Sequence, residues 1–204
     1  MKIGILGLQG GIYEHYYMVR KVFEKKGLNG EIIIVKKMDK LFDLDGLIIP
    51  GGESTTIGVL ARRLGLLDVL RDQVINGLPV LGTCAGAIML AKKVSDRVTG
   101  ETKQPLIATM NVEIVRNYFG RQRESFELDI VIKGLEDKPF RGVFIRAPAI
   151  TSYWGSVEPL STIKYYDEEV VVIARENNIL ATVFHPELTN DTRIHELFIE
   201  MIKK

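Results

Sequence analysis

The chain has 204 residues, with 27 Lys or Arg against 26 Asp or Glu and a net charge of +1. That length fits one domain able to bury about 70% of the surface of its unfolded chain, and the near-neutral balance argues against nucleic acid as a partner, which selects a clear basic excess. The one cysteine excludes an internal disulfide framework and a multi-cysteine metal site, and as an unpaired thiol it fits a reducing cytoplasm.

In chain order, Ile3 to Leu8 reads as a buried first strand. It is too short, and without a small-residue cleavage site, to be a secretory leader. Ile12 to Lys26 carries Ile12, Tyr16, Val19, Val22 and Phe23 at helical spacing, stopped by Gly27 and Gly30. Glu31 to Val35 and Gly46 to Ile49 read as strands. Thr56 to Ile75 is helical with a break near Gly65, Pro79 to Gly82 a short strand, and Ala85 to Lys93 a helix. This alternation predicts a mostly parallel sheet covered by helices on both faces. The second half is β-rich at Val112 to Val115, Phe126 to Ile132, Val143 to Arg146, Val170 to Ala174 and Leu180 to Phe184. A helix over Asp191 to Lys203 closes the chain, its apolar stripe marked by Ile194, Leu197, Phe198 and Met201. The whole is read as one α/β domain over residues 1–204, with antiparallel additions at a sheet edge or in a small extra layer. No run approaches the roughly 18 apolar residues of a membrane span. Lys36-Lys37 and Lys203-Lys204 read as solvated surface charge.

The chemistry concentrates in turns that follow strands. Gly82-Thr83-Cys84-Ala85-Gly86 joins a strand to a helix with small residues on both sides of Cys84, the pattern of a nucleophile elbow. Partial positive charge and free amides at that helix start favour a thiolate; without this context a lone cysteine is more often structural. His185-Pro186-Glu187 ends the run Leu180 to Phe184. Pro186 restricts His185 to extended backbone, where residues two apart share a side, so Glu187 is placed to orient the imidazole. Pro50-Gly51-Gly52-Glu53-Ser54-Thr55-Thr56 has the glycines of a close backbone approach, suited to an oxyanion hole. It also suits an ordinary turn with Ser54 or Thr55 as helix cap, and it lacks the lysine of a P-loop. Gly7-Leu8-Gln9-Gly10-Gly11 is not the dinucleotide fingerprint, because Gln9 stands where its second glycine belongs. His15 and His195 lie within the first and last helices and read as decorating helix faces.

Together these turns resemble the class I, triad-type glutamine amidotransferase family, whose fold is flavodoxin-like. Cys84, His185 and Glu187 match its triad, and Pro50-Gly51-Gly52 its oxyanion strand. The match narrows to the glutaminase-subunit family of pyridoxal 5′-phosphate synthases. It is carried by Gly7-Leu8-Gln9-Gly10 with Glu14-His15, Glu53-Ser54-Thr55-Thr56, Asn117-Tyr118-Phe119-Gly120-Arg121-Gln122, Ser125-Phe126-Glu127 and Phe144-Ile145-Arg146-Ala147-Pro148. Gly11 departs from the acidic or small polar residue of many relatives.

The resemblance implies that Cys84 attacks the amide carbon of L-glutamine, His185 moves the proton, and Glu187 holds His185. Backbone amides at Gly52 and Ala85 would bind the oxyanion. Gly52, Glu53, Ser54, Arg121, Ile145 and Arg146 would contact the substrate, the arginine that meets the α-carboxylate being left open. Gln9 is expected to couple partner docking to the oxyanion hole. Ammonia would pass to a separate synthase subunit, with pyridoxal phosphate its product. No cofactor or metal is expected in this chain, which would work in the cytoplasm away from membranes. The segments at Glu53 to Thr56 and Arg121 favour this family over amidotransferases of histidine or purine synthesis. The late His185 and Glu187 argue against a peptidase on the same elbow.

Overall fold

The first half begins with β1 (Lys2–Leu6), α1 (Ile12–Lys26), β2 (Glu31–Val35) and β3 (Gly46–Ile49). It continues with α2 (Ser54–Arg63), α3 (Leu66–Ile75), β4 (Val80–Thr83) and α4 (Ala85–Leu90). The computed structural model describes residues 1–203 except Glu136, with every side chain among them but that of Gln122. Lys36, Lys37 and Lys203 are exposed, and Lys204 lies outside the described residues. Helix α1 stops where Gly27 turns left-handed at φ 60°, a backbone that costs glycine nothing. Gly65, at φ 68°, makes the expected break between α2 and α3.

The second half comprises β5 (Ala91–Asp96), β6 (Gly100–Glu101), β7 (Met110–Arg116), β8 (Phe126–Ile130), β9 (Phe140–Phe144), β10 (Ala149–Tyr153), β11 (Glu158–Tyr165), β12 (Glu168–Glu176) and β13 (Ile179–Thr182), then α5 (Arg193–Ile202). One expectation fails here. The helix over Ala85 to Lys93 ends at Leu90, and Ala91 opens a strand. The run Ala91 to Asp96 pairs with β7 and β6, and that tertiary pairing overrides its local helical preference.

Among the described residues the main sheet runs β2-β1-β3-β4-β13-β12-β10-β7-β5-β6, with β11 beside β12. The first five strands are parallel. From β12 the joins are antiparallel except β5 with β7. The passage from β1 to β2 steps one way and that from β3 to β4 the other. Right-handed crossovers therefore put α1 on one face and α2 and α3 on the opposite one. Helix α5 packs beside α1, where Lys25 and Lys26 meet Glu196. The hairpin β8–β9 forms a small second sheet. Phe126 and Phe144 stack within it at 4.7 Å, and Phe119 and Phe184 pack edge-on or tilted against Phe144. Each buried ring contributes about 1.5–3 kcal/mol, so this cluster fixes the hairpin against the end of β13.

Candidate active site

Sheet register brings the motif turns to one edge. Thr83 pairs with Thr182, and Ile49 with Gly82, so Cys84, the start of His185-Pro186-Glu187 and the Gly51 turn all leave neighbouring parallel strands at their C-terminal ends. That edge is where open α/β sheets place ligands. Cys84 is the whole of the connection between β4 and α4, at φ 47° and ψ −104°. Such a conformation is strained for a residue with a Cβ. Its amide donates to the Thr182 carbonyl at 2.8 Å. The neighbouring glycines are required: a Cβ on Gly82 would fall 2.6 Å from Leu90, and one on Gly86 1.9 Å from the Ile49 carbonyl oxygen.

His185 is anchored by its amide, which donates to the Val143 carbonyl of β9 at 2.9 Å. Its Nδ1 lies 2.7 Å from Glu187 Oε1. The pair arises differently from the extended geometry expected. Only His185 is open, and Pro186 to Leu188 form a 3-10 turn that carries Glu187 back beneath the ring. Burial opposes charge on His185, but the Cys84 thiol and the Glu187 carboxylate outweigh it and push the imidazole up to about 10. Burial likewise opposes charge on Glu187. His15 and the hydrogen bond with His185 outweigh it, holding the carboxyl at about 2. Burial keeps His15 itself below 6.5, so its contribution is that of a neutral N–H dipole and His185 is the charged partner.

His15 and His195 do not decorate helix surfaces. Both are fully buried at the interface of α1 and α5. Helical spacing alone does not separate a buried polar residue from an exposed one.

Gly51 packs between the reactive groups. A Cβ there would lie 2.4 Å from His185 Cε1 and 3.3 Å from Cys84 Cβ. Its amide donates to Thr83 Oγ1 at 3.0 Å, and its carbonyl accepts the Gly11 amide at 3.0 Å. Gly10, at φ 107°, leaves no room for a side chain, because a Cβ would sit 1.7 Å from the Gly51 oxygen. Gln9 Oε1 accepts the Glu53 amide at 2.7 Å. The cap of α2 is Glu53, not Ser54 or Thr55: its carboxylate accepts the Thr55 and Thr56 amides at 3.1 and 2.6 Å. Burial works against this carboxylate, but the bonds from Thr56 and Thr55 hold it below the usual range.

A cavity of about 480 Å³ covers these groups. It is lined by Cys84, His185, Glu187, Gln9, Gly52, Glu53, Ser54, Ile145 and Arg146, uniting nine of the eleven residues singled out from the sequence. Ala85 is buried at the first position of α4, with its side chain outside the lining. Arg121 stands elsewhere, in a neighbouring cavity with Arg97, Tyr165 and Tyr166. A second arginine lines the site beside Arg146: Arg116, which sequence reasoning missed. It ends β7, where the pairing of Val115 with Ala149 sets it level with Pro148 at the cavity wall. Its guanidinium donates to Gln104 Oε1 at 2.6 Å and to Glu53 Oε1 at 3.3 Å. An arginine closing a strand just before a glycine-containing turn was the available signal.

The sequence matches the model of the SNO glutamine amidotransferase family over residues 5–204. It is 65% identical to the pyridoxal 5′-phosphate synthase subunit PdxT of Staphylothermus marinus and 58% identical to that of Aeropyrum pernix, covering 100% of both chains in each case. A crystal structure of a glutamine amidotransferase superposes with a TM-score of 0.83 at 42% identity, over 99% of both chains. A Thermotoga maritima glutamine amidotransferase, at 12% identity and a TM-score of 0.57 over 99% of this chain and 83% of its own, shares the fold. With a strained cysteine, a carboxylate-held histidine and a glycine strand at one sheet edge, and with full-length matches of this strength, the chain belongs to the SNO glutamine amidotransferase family.

Proposed function

We propose that this chain hydrolyses L-glutamine to L-glutamate and ammonia through a Cys84-His185-Glu187 triad, and that it delivers the ammonia to a separate subunit of pyridoxal 5′-phosphate synthase. The observation that carries the reading is the placement of His185 against both Cys84 and Glu187 in one cavity, with Gly51 packed on the ring. The family and the names of its relatives supply the substrate and the partner.

In the reaction, Cys84 Sγ, its proton already held by His185, forms a bond to the side-chain amide carbon. The carbonyl oxygen becomes an oxyanion held by backbone amides at Gly52 and Ala85. Amides in the first turn of a helix have no intrahelical partner and are free for this. The tetrahedral adduct collapses as His185 gives its proton to the leaving nitrogen, releasing ammonia and leaving a thioester. Water, deprotonated by His185, attacks the thioester, and glutamate leaves as the sulfur is released beside the protonated His185. Glu187 keeps His185 Nδ1–H engaged, so the other ring nitrogen faces the sulfur throughout.

Gly52, Glu53 and Ser54 with Ile145 and Arg146 form the glutamine pocket in this proposal. Arg116 joins them, because it lines the cavity and Arg121 does not. Gln9 is the coupling residue: it holds the Glu53 amide from the turn after β1, so movement of that turn transmits to the oxyanion strand. The proposed compartment is the cytoplasm, supported by the free thiol of Cys84. Among the described residues no helix is long and apolar enough to cross a membrane.

The test is release of ammonia and glutamate from glutamine, with and without the synthase subunit, using Cys84→Ala as control. Release that rises with the synthase and vanishes in Cys84→Ala supports both parts. Release that the synthase leaves unchanged removes the partner, and release that survives in Cys84→Ala removes the triad.

A further inference from the structure

The triad carboxylate uses only one of its oxygens on His185. Glu187 Oε2 is buried without a hydrogen-bond partner, and His15 Nε2 stands 3.4 Å from it, both side chains being 1% exposed or less. The same His15 nitrogen lies 3.0 Å from Thr83 Oγ1, which accepts the Gly51 amide. On its other side, His15 Nδ1 lies 2.9 Å from His195 Nε2, and His195 Nδ1 is buried without a partner.

These contacts decide where the protons sit. Burial keeps both rings neutral, each below 6.5. An unpaired buried N–H is costlier than an unused lone pair. His195 therefore carries its proton on Nε2 and donates it to His15 Nδ1. His15 must then be protonated at Nε2, and that N–H donates to Thr83 Oγ1, with the free oxygen of Glu187 3.4 Å from the same nitrogen. The opposite tautomers would bury an orphaned N–H at His195 and turn a His15 lone pair toward a carboxylate.

We propose that His15 is a positioning residue of the triad, its Nε2–H holding the Glu187 oxygen that His185 leaves free and, through Thr83, tying that carboxylate to the Gly51 oxyanion strand, with His195 setting its tautomer. This rests on the glutaminase reading above. The role differs from packing because it needs an N–H at one point. Glutamine at position 15 supplies such a donor and leucine of similar bulk does not.

Steady-state glutaminase kinetics of the complex with the synthase subunit are measured for wild type, His15→Leu and His15→Gln. His15→Leu is expected to lower kcat about 10- to 100-fold with KM little changed, the scale of a lost buried bond to a charged group. His15→Gln is expected to recover most of it. In the ¹⁵N-labelled full chain, the downfield Nδ1–H resonance of His185 should shift in His15→Leu and return toward wild type in His15→Gln. A folded His15→Leu with unchanged kcat and resonance overturns the proposal. So does His15→Gln no better than His15→Leu, which is the signature of packing alone. If His15→Leu does not fold, His195→Leu takes its place: a kcat loss of about three- to ten-fold at constant KM supports the proposal, and an unchanged kcat overturns it. If the wild type releases no ammonia the glutaminase reading fails, while the resonance still reads the link between His15, Glu187 and His185.

Discussion

Gly86 and Ile49 approach so closely that a Cβ on Gly86 would fall 1.9 Å from the Ile49 carbonyl oxygen. The contact is between backbones, the first turn of α4 pressed against the end of β3, and it holds Cys84 level with the Gly51 turn. A methyl group there has nowhere to move. Gly86→Ala should therefore destabilise the fold by about 1–3 kcal/mol, the cost of overpacking, and displace the elbow. Thermal unfolding and glutaminase rate are both expected to fall; an unaltered rate with unaltered melting would show that α4 shifts freely.

Glu187→Gln keeps the size of the side chain and removes the charge that His185 faces. The amide can also present its N–H to His185 Nδ1 and invert the tautomer. Loss of an orienting carboxylate in a triad of this type lowers kcat by up to about 10⁴-fold. The expectation is a kcat reduced by at least 100-fold with KM for glutamine nearly unchanged, read by ammonia release.

Arg116 and Arg121 line different cavities. Arg116→Gln should raise KM for glutamine by about 10- to 100-fold, the range of a lost charge-assisted hydrogen bond. It also breaks the contacts to Glu53 and Gln104, so some loss of kcat should accompany it. Arg121→Gln should change KM by less than about threefold, since its cavity is the neighbouring one. Kinetics of the two variants side by side decide the assignment.

The buried histidines give stability a definite pH dependence. His195 is held at about 3, mainly by burial and then by His15, and burial lowers His15 as well. Below 6.5 the unfolded chain binds protons there that the folded chain refuses, so stability falls as pH drops from 6.5 toward 3. The slope is about 1.4 kcal/mol per pH unit for His195 across that range, and His15 adds to it with the same sign. Glu187, held at about 2, acts with the same sign lower down: its contribution is present above the usual carboxylate value of 4.5 and is lost as pH falls toward 2. His185, raised to about 10, has the opposite sign. Its contribution is complete below 6.5 and is lost as pH rises through 10. Melting temperature against pH should show both limbs, and His195→Leu should flatten the stretch between 6.5 and 3.

Gln9→Ala removes the acceptor that holds the Glu53 amide at 2.7 Å. Stimulation of glutaminase by the synthase should drop, while association of the two subunits, measured by sedimentation, should hold. Full stimulation in this variant would place the coupling in other residues of the turn.

The chemistry of this chain is legible from local pattern wherever it depends on local backbone. Small residues around Cys84 announce a turn too tight for bulk, and the glycines of Gly82 and Gly86 prove to be in backbone contact. Alternating strand and helix announces the parallel sheet, and strands ending just before Cys84, His185 and Gly51 bring those residues to one edge. What periodicity does not carry is distance through space. Arg121 lies within the Asn117 to Gln122 motif and Arg116 just before it, and only the register of β7 with β10 puts one in the cavity and the other outside. His15 and His195 are 180 residues apart, each unremarkable on its own helix, and the packing of α1 on α5 alone makes them a buried pair behind Glu187. The Ala85 to Lys93 helix fails for the same reason: Ala91 gains more from pairing beside β7 than from another helical turn. Residue types and spacing specify reactive groups and turns, because those are properties of neighbouring dihedrals; partners across the fold follow from strand register and helix packing, which no single segment encodes.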